Sequence, residues 1–255
     1  MRPFYQSERA TIYQGDALPV LRALPDNSVD AVIADPPYCS GGASTATRTN
    51  NSARSKYVST NAKHNLASFS GDQRDQRSFT YWCTLWLGES LRLTNPGGVC
   101  LVFTDWRQLP SVSDALQAAG WVWRGLVVWH KPGARPSRGR FTNAAEYVVW
   151  GSHGDLASRE LYLPGFYSVT TPRGNARTHI TQKPLTLLRH LVNITAPGAT
   201  VLDPFLGSGT TGEAAILDGR KFVGVELSEQ FAEQAAARIA AAEQIVSGRT
   251  EGGSS

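Results

Sequence analysis

The chain has 255 residues, ordinary apolar and aromatic fractions, and a formal charge of +4 with a pI near 9.1. That length suits one large or two small domains, and the mild basicity permits a nucleic-acid partner without requiring one. No apolar run reaches the roughly 18 residues of a membrane span, the first residues lack the apolar core of a signal peptide, and Cys39, Cys83 and Cys100 form no Cys-x-x-Cys pair. The expectation is a cytoplasmic protein with reduced thiols, no membrane partner and no metal.

Residues 9–21 read as a strand, a Gly15-Asp16 turn and a short helix, with Asp16 placed to cap that helix. Residues 29–38 are the most informative stretch: a short apolar run with β-branched Val29, Val32 and Ile33, stopped by Asp35-Pro36-Pro37-Tyr38. The run suits a buried parallel strand, and the prolines, which donate no ladder hydrogen bond, cut it sharply. The Asp35 carboxylate, the Pro36 carbonyl and the Tyr38 ring are left at the strand's C-terminal end, where open α/β sheets bind ligands. Two acceptors beside an aromatic face fit an amino group on a planar heterocycle. An isolated Asp-Pro-Pro is as readily a capped turn; Tyr38 and a second motif further on favour a site.

Residues 39–80 lose aliphatic periodicity and carry Arg48, Arg54, Lys56, Lys63, Arg74 and Arg77 against Asp72 and Asp75, the composition of a basic flexible loop. Phe79, Trp82, Leu85, Trp86 and Leu93 recur at helical spacing, predicting a helix over 78–93 stopped by Asn95-Pro96-Gly97-Gly98, with the tryptophans in the core. A strand over 99–103, a helix over 111–119 and strands over 123–130 and 146–150 follow. Between the last two strands, Lys131, Arg135, Arg138 and Arg140 lie in a Pro/Gly loop without an acid, and 151–178 look irregular. A helix is predicted over 185–194, behind Pro184. A strand over 200–202 then enters Asp203-Pro204-Phe205-Leu206-Gly207-Ser208-Gly209-Thr210-Thr211-Gly212, and the next strand ends on Glu226. Strand, glycine loop, helix, strand and acid together hold an adenosine ribose, the carboxylate accepting both hydroxyls. A helix over 228–245 and a disordered tail over 246–255 complete the chain. The glycines also match the dinucleotide fingerprint, and on that basis alone an NAD-dependent dehydrogenase fits equally well. Asp203-Pro204-Phe205, coupled to Asp35-Pro36-Pro37-Tyr38, decides against it.

Asp35-Pro36-Pro37-Tyr38 resembles the catalytic motif of S-adenosylmethionine-dependent DNA amino-methyltransferases, which act on adenine N6 or cytosine N4, and residues 203–210 resemble their S-adenosylmethionine loop. The resemblance spans roughly residues 9–240, with the catalytic motif preceding the cofactor motif as in the beta group. It implies a single α/β methyltransferase domain over 1–245, of Rossmann-like, doubly wound, mostly parallel class I architecture with permuted motif order. Catalysis would fall to Asp35, Pro36, Pro37 and Tyr38. S-adenosylmethionine would be held by Asp203, Phe205, Gly207, Gly209, Thr210, Thr211 and Glu226, with Asp16 near its adenine and Lys183, in His179-Ile-Thr-Gln-Lys-Pro184, at its methionine end. Arg48, Arg54, Lys56 and Lys63 would meet DNA from the 39–80 loop, and Arg135, Arg138, Arg140, Arg173 and Arg177 from a small target-recognition region over 131–178. Members acting on adenine mostly begin the catalytic motif with Asp and those acting on cytosine mostly with Ser. The implied activity is therefore adenine N6 methylation of double-stranded DNA, the target base being flipped out. The alternatives are an N4-cytosine enzyme and a DNA-binding regulator that has lost catalysis. A homodimer is common in this subgroup.

Overall fold

The computed structural model describes residues 1–38, 75–136, 138–156, 160–171 and 183–251. Arg48, Arg54, Lys56, Lys63, Arg173 and Arg177 lie outside them, as does most of the 39–80 stretch. Among these described residues nine strands form one sheet: β1 (Tyr5–Gln6), β2 (Ala10–Gln14), β3 (Val29–Ala34), β4 (Thr94–Thr104), β5 (Val122–His130), β6 (Ala145–Ser152), β7 (Phe166–Ser168), β8 (Thr200–Asp203) and β9 (Lys221–Glu226), in the order β1-β2-β9-β8-β3-β4-β6-β5-β7. From β2 through β9, β8 and β3 to β4 every pairing is parallel. β6 then runs antiparallel to both β4 and β5.

Six helices of the described residues cover the sheet. α1 (Ala17–Ala23), α2 (Gln76–Leu93) and α3 (Leu109–Ala118) pack on one face, and α4 (Leu185–Val192), α5 (Thr210–Leu217) and α6 (Glu229–Glu251) on the other. This is the doubly wound arrangement expected, and it explains the apolar continuity of β3: Val32 and Ala34 face the first helix layer while Ala31 and Ile33 face the second. The interruption at Asp30 is also explained. Its carboxylate accepts from Thr200 N–H at 2.8 Å and from Asn95 Nδ2 at 2.9 Å, tying the entry of β3 to β8 and β4. No helix among the described residues is long and apolar enough to cross a membrane.

Three local expectations need correction. The Asn95-Pro96-Gly97-Gly98 run does not stop α2. The helix ends at Leu93, Thr94 caps it in extended geometry, and the chain passes directly into β4. The register there shifts between Val29↔Thr94 and Ala31↔Val99, so the glycines make a bulge. A Cβ on Gly98 would meet the Asp30 carbonyl oxygen at 2.7 Å, which is why no side chain is carried at that point. Residues 151–178 are not wholly irregular, since β6 runs to Ser152 and β7 pairs in parallel with β5. The C-terminal helix continues to Glu251, past the expected end at 245; one interior glycine, Gly248, costs only about 1 kcal/mol.

The two outer glycines of the loop at 207–209 have different jobs. Gly207 has φ +53 and open space where a Cβ would be, whereas Gly209 has φ +86 and its Cβ would lie 2.8 Å from the Ala235 Cα of α6. Gly209→Ala therefore combines left-handed strain with overpacking against backbone. It is expected to lower stability by roughly 2–4 kcal/mol, measurable as a lower denaturant midpoint with unchanged slope.

Candidate active site and cofactor loop

Because β3, β4, β5, β8 and β9 run the same way, their C-terminal ends share one edge of the sheet, and because β6 runs the other way its first residues join them. That edge collects Asp35 after β3, Asp105 after β4, Lys131 after β5, Glu146 at the start of β6, Asp203 ending β8 and Glu226 ending β9. Lys183 reaches it from the turn before α4.

Asp35 is gripped from two sides. Lys183 Nζ donates to both of its carboxylate oxygens at 2.7 Å, and the Tyr38 hydroxyl donates to Oδ1 at 2.5 Å. The ammonium is 7% exposed and lies 5.2 Å from the centre of the Tyr38 ring and 5.1 Å from that of Phe103, so cation–π attraction adds to the ion pair. It also lies 3.5 Å from Glu146 Oε2, and Glu146 Oε1 accepts from Lys131 at 2.9 Å. The result is a chain of alternating charge, Lys131, Glu146, Lys183 and Asp35, with the Tyr38 hydroxyl at its end.

Burial and partners compete within this chain. Burial raises the Asp35 pKa, and Lys183 and Tyr38 only partly offset it. Burial alone would depress the Lys183 pKa, but Asp35 and Glu146 outweigh it, so the ammonium persists above its ordinary range. For Glu146 burial acts upward, and the two lysines overcome it and keep the carboxylate ionised. Burial and the Asp35 charge push the Tyr38 phenol well above its ordinary value.

β8, the strand next to β3, delivers Asp203 into the interior. One of its oxygens accepts from Phe205 N–H at 2.9 Å, Thr211 also bonds it, and burial nonetheless pushes its pKa up to about 7. Phe205 rests against the rings of Trp82 and Trp86, with centroids 5.3 and 5.1 Å away. Glu226 accepts from Gly207 N–H at 2.7 Å and Ser228 N–H at 2.9 Å, closing the loop onto the end of β9, and burial raises its pKa. Asp16 caps α1 by accepting from Leu18 N–H at 3.0 Å, and it sits beside Glu226 because Gly15 N–H donates to the Glu226 carbonyl at 2.9 Å.

The structure thus brings together Asp35, Pro36, Pro37, Tyr38 and Lys183 in one group, and Asp16, Asp203, Phe205, Gly207 and Glu226 in another. Thr210 is turned elsewhere: its hydroxyl accepts from Arg238 of α6 at 2.7 Å. Gly209 faces the same helix, and Thr211 serves Asp203. Lys183, expected at the methionine end of a cofactor, meets Asp35 itself. Lys131, which the sequence groups with the loop arginines, pairs instead with Glu146, a residue whose only signal in the sequence is a lone acid opening an apolar strand at 146–150. Arg135, Arg138 and Arg140 stand exposed on the loop that leaves this edge, next to Phe141, which is 98% exposed.

The donor set fits an adenosyl amino acid. Glu226 presents a carboxylate, Asp203 is a buried acid at the head of the glycine loop, and Gly207, whose N–H donates to Glu226, leaves open room where a Cβ would be. A family model described as DNA methylase matches residues 29–160 and 155–237. Among curated proteins, the Type II methyltransferase M.HinfI of Haemophilus influenzae is 28% identical over 252 residues, covering 90% of this chain and 68% of its own. Among solved structures, the M1.HpyAVI–SAM complex aligns with a TM-score of 0.65 at 25% identity, over 90% of this chain and 98% of that one. The cytosine-N4-specific PvuII DNA methyltransferase shares the fold, with a TM-score of 0.69 at 18% identity over 93% and 88% of the two chains.

Proposed function

The chain belongs to the DNA methylase family of S-adenosylmethionine-dependent amino-methyltransferases, and we propose that within it this protein methylates adenine N6 in duplex DNA after flipping the base out of the helix. The observation that supports this reading best is the Asp35 carboxylate, held by Lys183 and Tyr38 at the same sheet edge as Asp203 and Glu226. Bound at the second group, S-adenosylmethionine supplies an electrophilic sulfonium methyl, and transfer to the amine leaves a neutral thioether.

The protein's own residues position the amine. An adenine in the stack cannot bring its amino nitrogen to this edge, so the base is extruded, and the Tyr38 ring receives it. Asp35 and the Pro36 carbonyl accept the amino hydrogens, which turns the nitrogen lone pair out of conjugation and toward the methyl. As the N–C bond forms, the nitrogen becomes positive and acidic, and Asp35 takes up the released proton. Burial suits the carboxylate to this, because it raises the Asp35 pKa while Lys183 keeps the carboxylate oriented. Glu226 accepts the ribose hydroxyls, exchanging part of its hold on the loop N–H groups, and Phe205, braced by Trp82 and Trp86, walls the pocket. Arg135, Arg138 and Arg140 supply phosphate contacts. The cytoplasm is the proposed location and a homodimer the proposed assembly; a restriction–modification role is carried over from M.HinfI, a Type II methyltransferase.

Nucleosides recovered from duplex DNA incubated with the protein and S-adenosylmethionine, separated and identified by mass spectrometry, test the reading. N6-methyladenine is the expected product. N4-methylcytosine would replace the base assignment, and no methylated nucleoside beside an active control enzyme would sink the proposal.

A further inference from the structure

We propose that Glu146 is a positioning residue for methyl transfer, holding the Lys183 ammonium against Asp35 and linking that carboxylate to the base of the 131–144 loop through Lys131. This rests on the function proposed above. Lys183 has three N–H donors and very little access to water. Two of them serve the oxygens of Asp35 at 2.7 Å, and Glu146 Oε2, buried without a hydrogen bond of its own, forms an ion pair with the ammonium at 3.5 Å. Without that second carboxylate, an ammonium buried between the Tyr38 and Phe103 rings would be compensated by Asp35 alone. Glu146 is in turn anchored by Lys131 at 2.9 Å.

The location gives the arrangement its meaning. Lys131 is the first residue after β5 and Glu146 the second of β6, so the two stems of the hairpin that carries Arg135, Arg138 and Arg140 are pinned to each other by the pair that also holds Lys183. The groups facing Glu146 are Lys131 from β5, Lys183 from the turn before α4, and Asp35 and Tyr38 from the end of β3; Asp105 acts on Tyr38 from the end of β4. Removing the Glu146 charge removes a repulsion from Asp35 and an attraction from Lys183. The carboxylate then holds its proton less readily and so does the ammonium. Both limbs of a rate–pH profile governed by this pair move toward acid.

The test uses full-length Glu146→Gln and Glu146→Asp beside the wild type. Methyl transfer to genomic DNA is followed across pH, S-adenosylmethionine affinity is measured by calorimetry, and the ¹³C carboxyl shift of Asp35, assigned with Asp35→Asn, is titrated in the ligand-free protein. In Glu146→Gln the rate should fall roughly ten- to a hundredfold. The Asp35 midpoint and the rate–pH limbs should move roughly half a unit to one unit toward acid, with cofactor affinity unchanged. Glu146→Asp, which keeps the charge, should restore the Asp35 midpoint. An unmoved midpoint overturns the proposal, as does a rate loss matched by an equal loss of cofactor affinity. A wild type that methylates no DNA defeats the proposed function instead, and the carboxyl titration still decides whether Glu146 sets the state of Asp35.

Discussion

Lys183→Met should cost more than any other single change at the site, and the cost should depend on pH. The side chain is almost entirely enclosed and is shared by Asp35 at 2.7 Å and Glu146 at 3.5 Å. Its loss leaves two carboxylates facing each other with no cation between them, Glu146 retaining only Lys131. Breaking a buried ion pair from one side costs about 3–5 kcal/mol. The sign with pH follows from which state binds protons more tightly. Burial already raises the Asp35 pKa, and in the variant the main offset, Lys183, is gone, so Asp35 is raised further and the folded state holds extra protons. The deficit is therefore smallest in acid and grows as pH rises through the folded values. In the wild type the Lys183 pKa is raised, so its contribution is fully present below the ordinary lysine range and is lost only when pH passes the folded value, above the window tested. Chemical denaturation of both proteins from pH 5 to pH 8 should show a gap that widens with pH. A constant gap would mean that the destabilisation is steric and that the charge chain has been misread.

Asp35→Asn is the second large effect, and it should fall on chemistry with little change in cofactor binding. The amide keeps an oxygen that Tyr38 and Lys183 can still reach, but its NH2 opposes the ammonium on one side and the substrate amine on the other. It can neither accept both hydrogen-bond donors nor take up the proton released on methylation. Loss of one preorganised polar group typically lowers turnover by about 10²–10³. Asp35 follows β3, and Glu226, which holds the loop through Gly207 N–H, ends β9 two strands away. Calorimetric affinity for S-adenosylmethionine should thus stay near the wild-type value while single-turnover transfer collapses. Parallel loss of both would move Asp35 from the reacting amine to the cofactor pocket.

The sheet edge was readable because its chemistry is written locally. An apolar run ending in Asp35-Pro36-Pro37-Tyr38, and a second ending in Asp203 before glycines, each announce a strand that stops where a polar group begins. What the local pattern could not carry was pairing across the fold. Lys183 and Asp35 are 148 residues apart, and only the packing of α4 against the sheet brings them into contact. Glu146 looks like the solvated first residue of a strand until the antiparallel sense of β6 turns it toward the same edge. The α2–β4 junction misled for a different reason: Pro and Gly serve a helix stop and a β-bulge equally well, and the choice depends on Asp30 of the neighbouring strand. β7 is three residues long and half-exposed, too short to leave a period of its own.

The hairpin between β5 and β6 has a consequence for how such a protein can change. Its stems are fixed twice at the root, by Lys131 N–H donating to the Ala144 carbonyl at 2.7 Å and by the Lys131–Glu146 ion pair at 2.9 Å. Within the loop, Ala134 N–H donates to the Lys131 carbonyl at 3.0 Å and Ala144 N–H to the Thr142 carbonyl at 2.9 Å, both local bonds. A segment mounted this way can be lengthened, shortened or exchanged wholesale while its root geometry persists. Under the function proposed above, target preference can then drift or be grafted as a module, with Asp35 and Lys183 left undisturbed as long as Lys131 and Glu146 are kept.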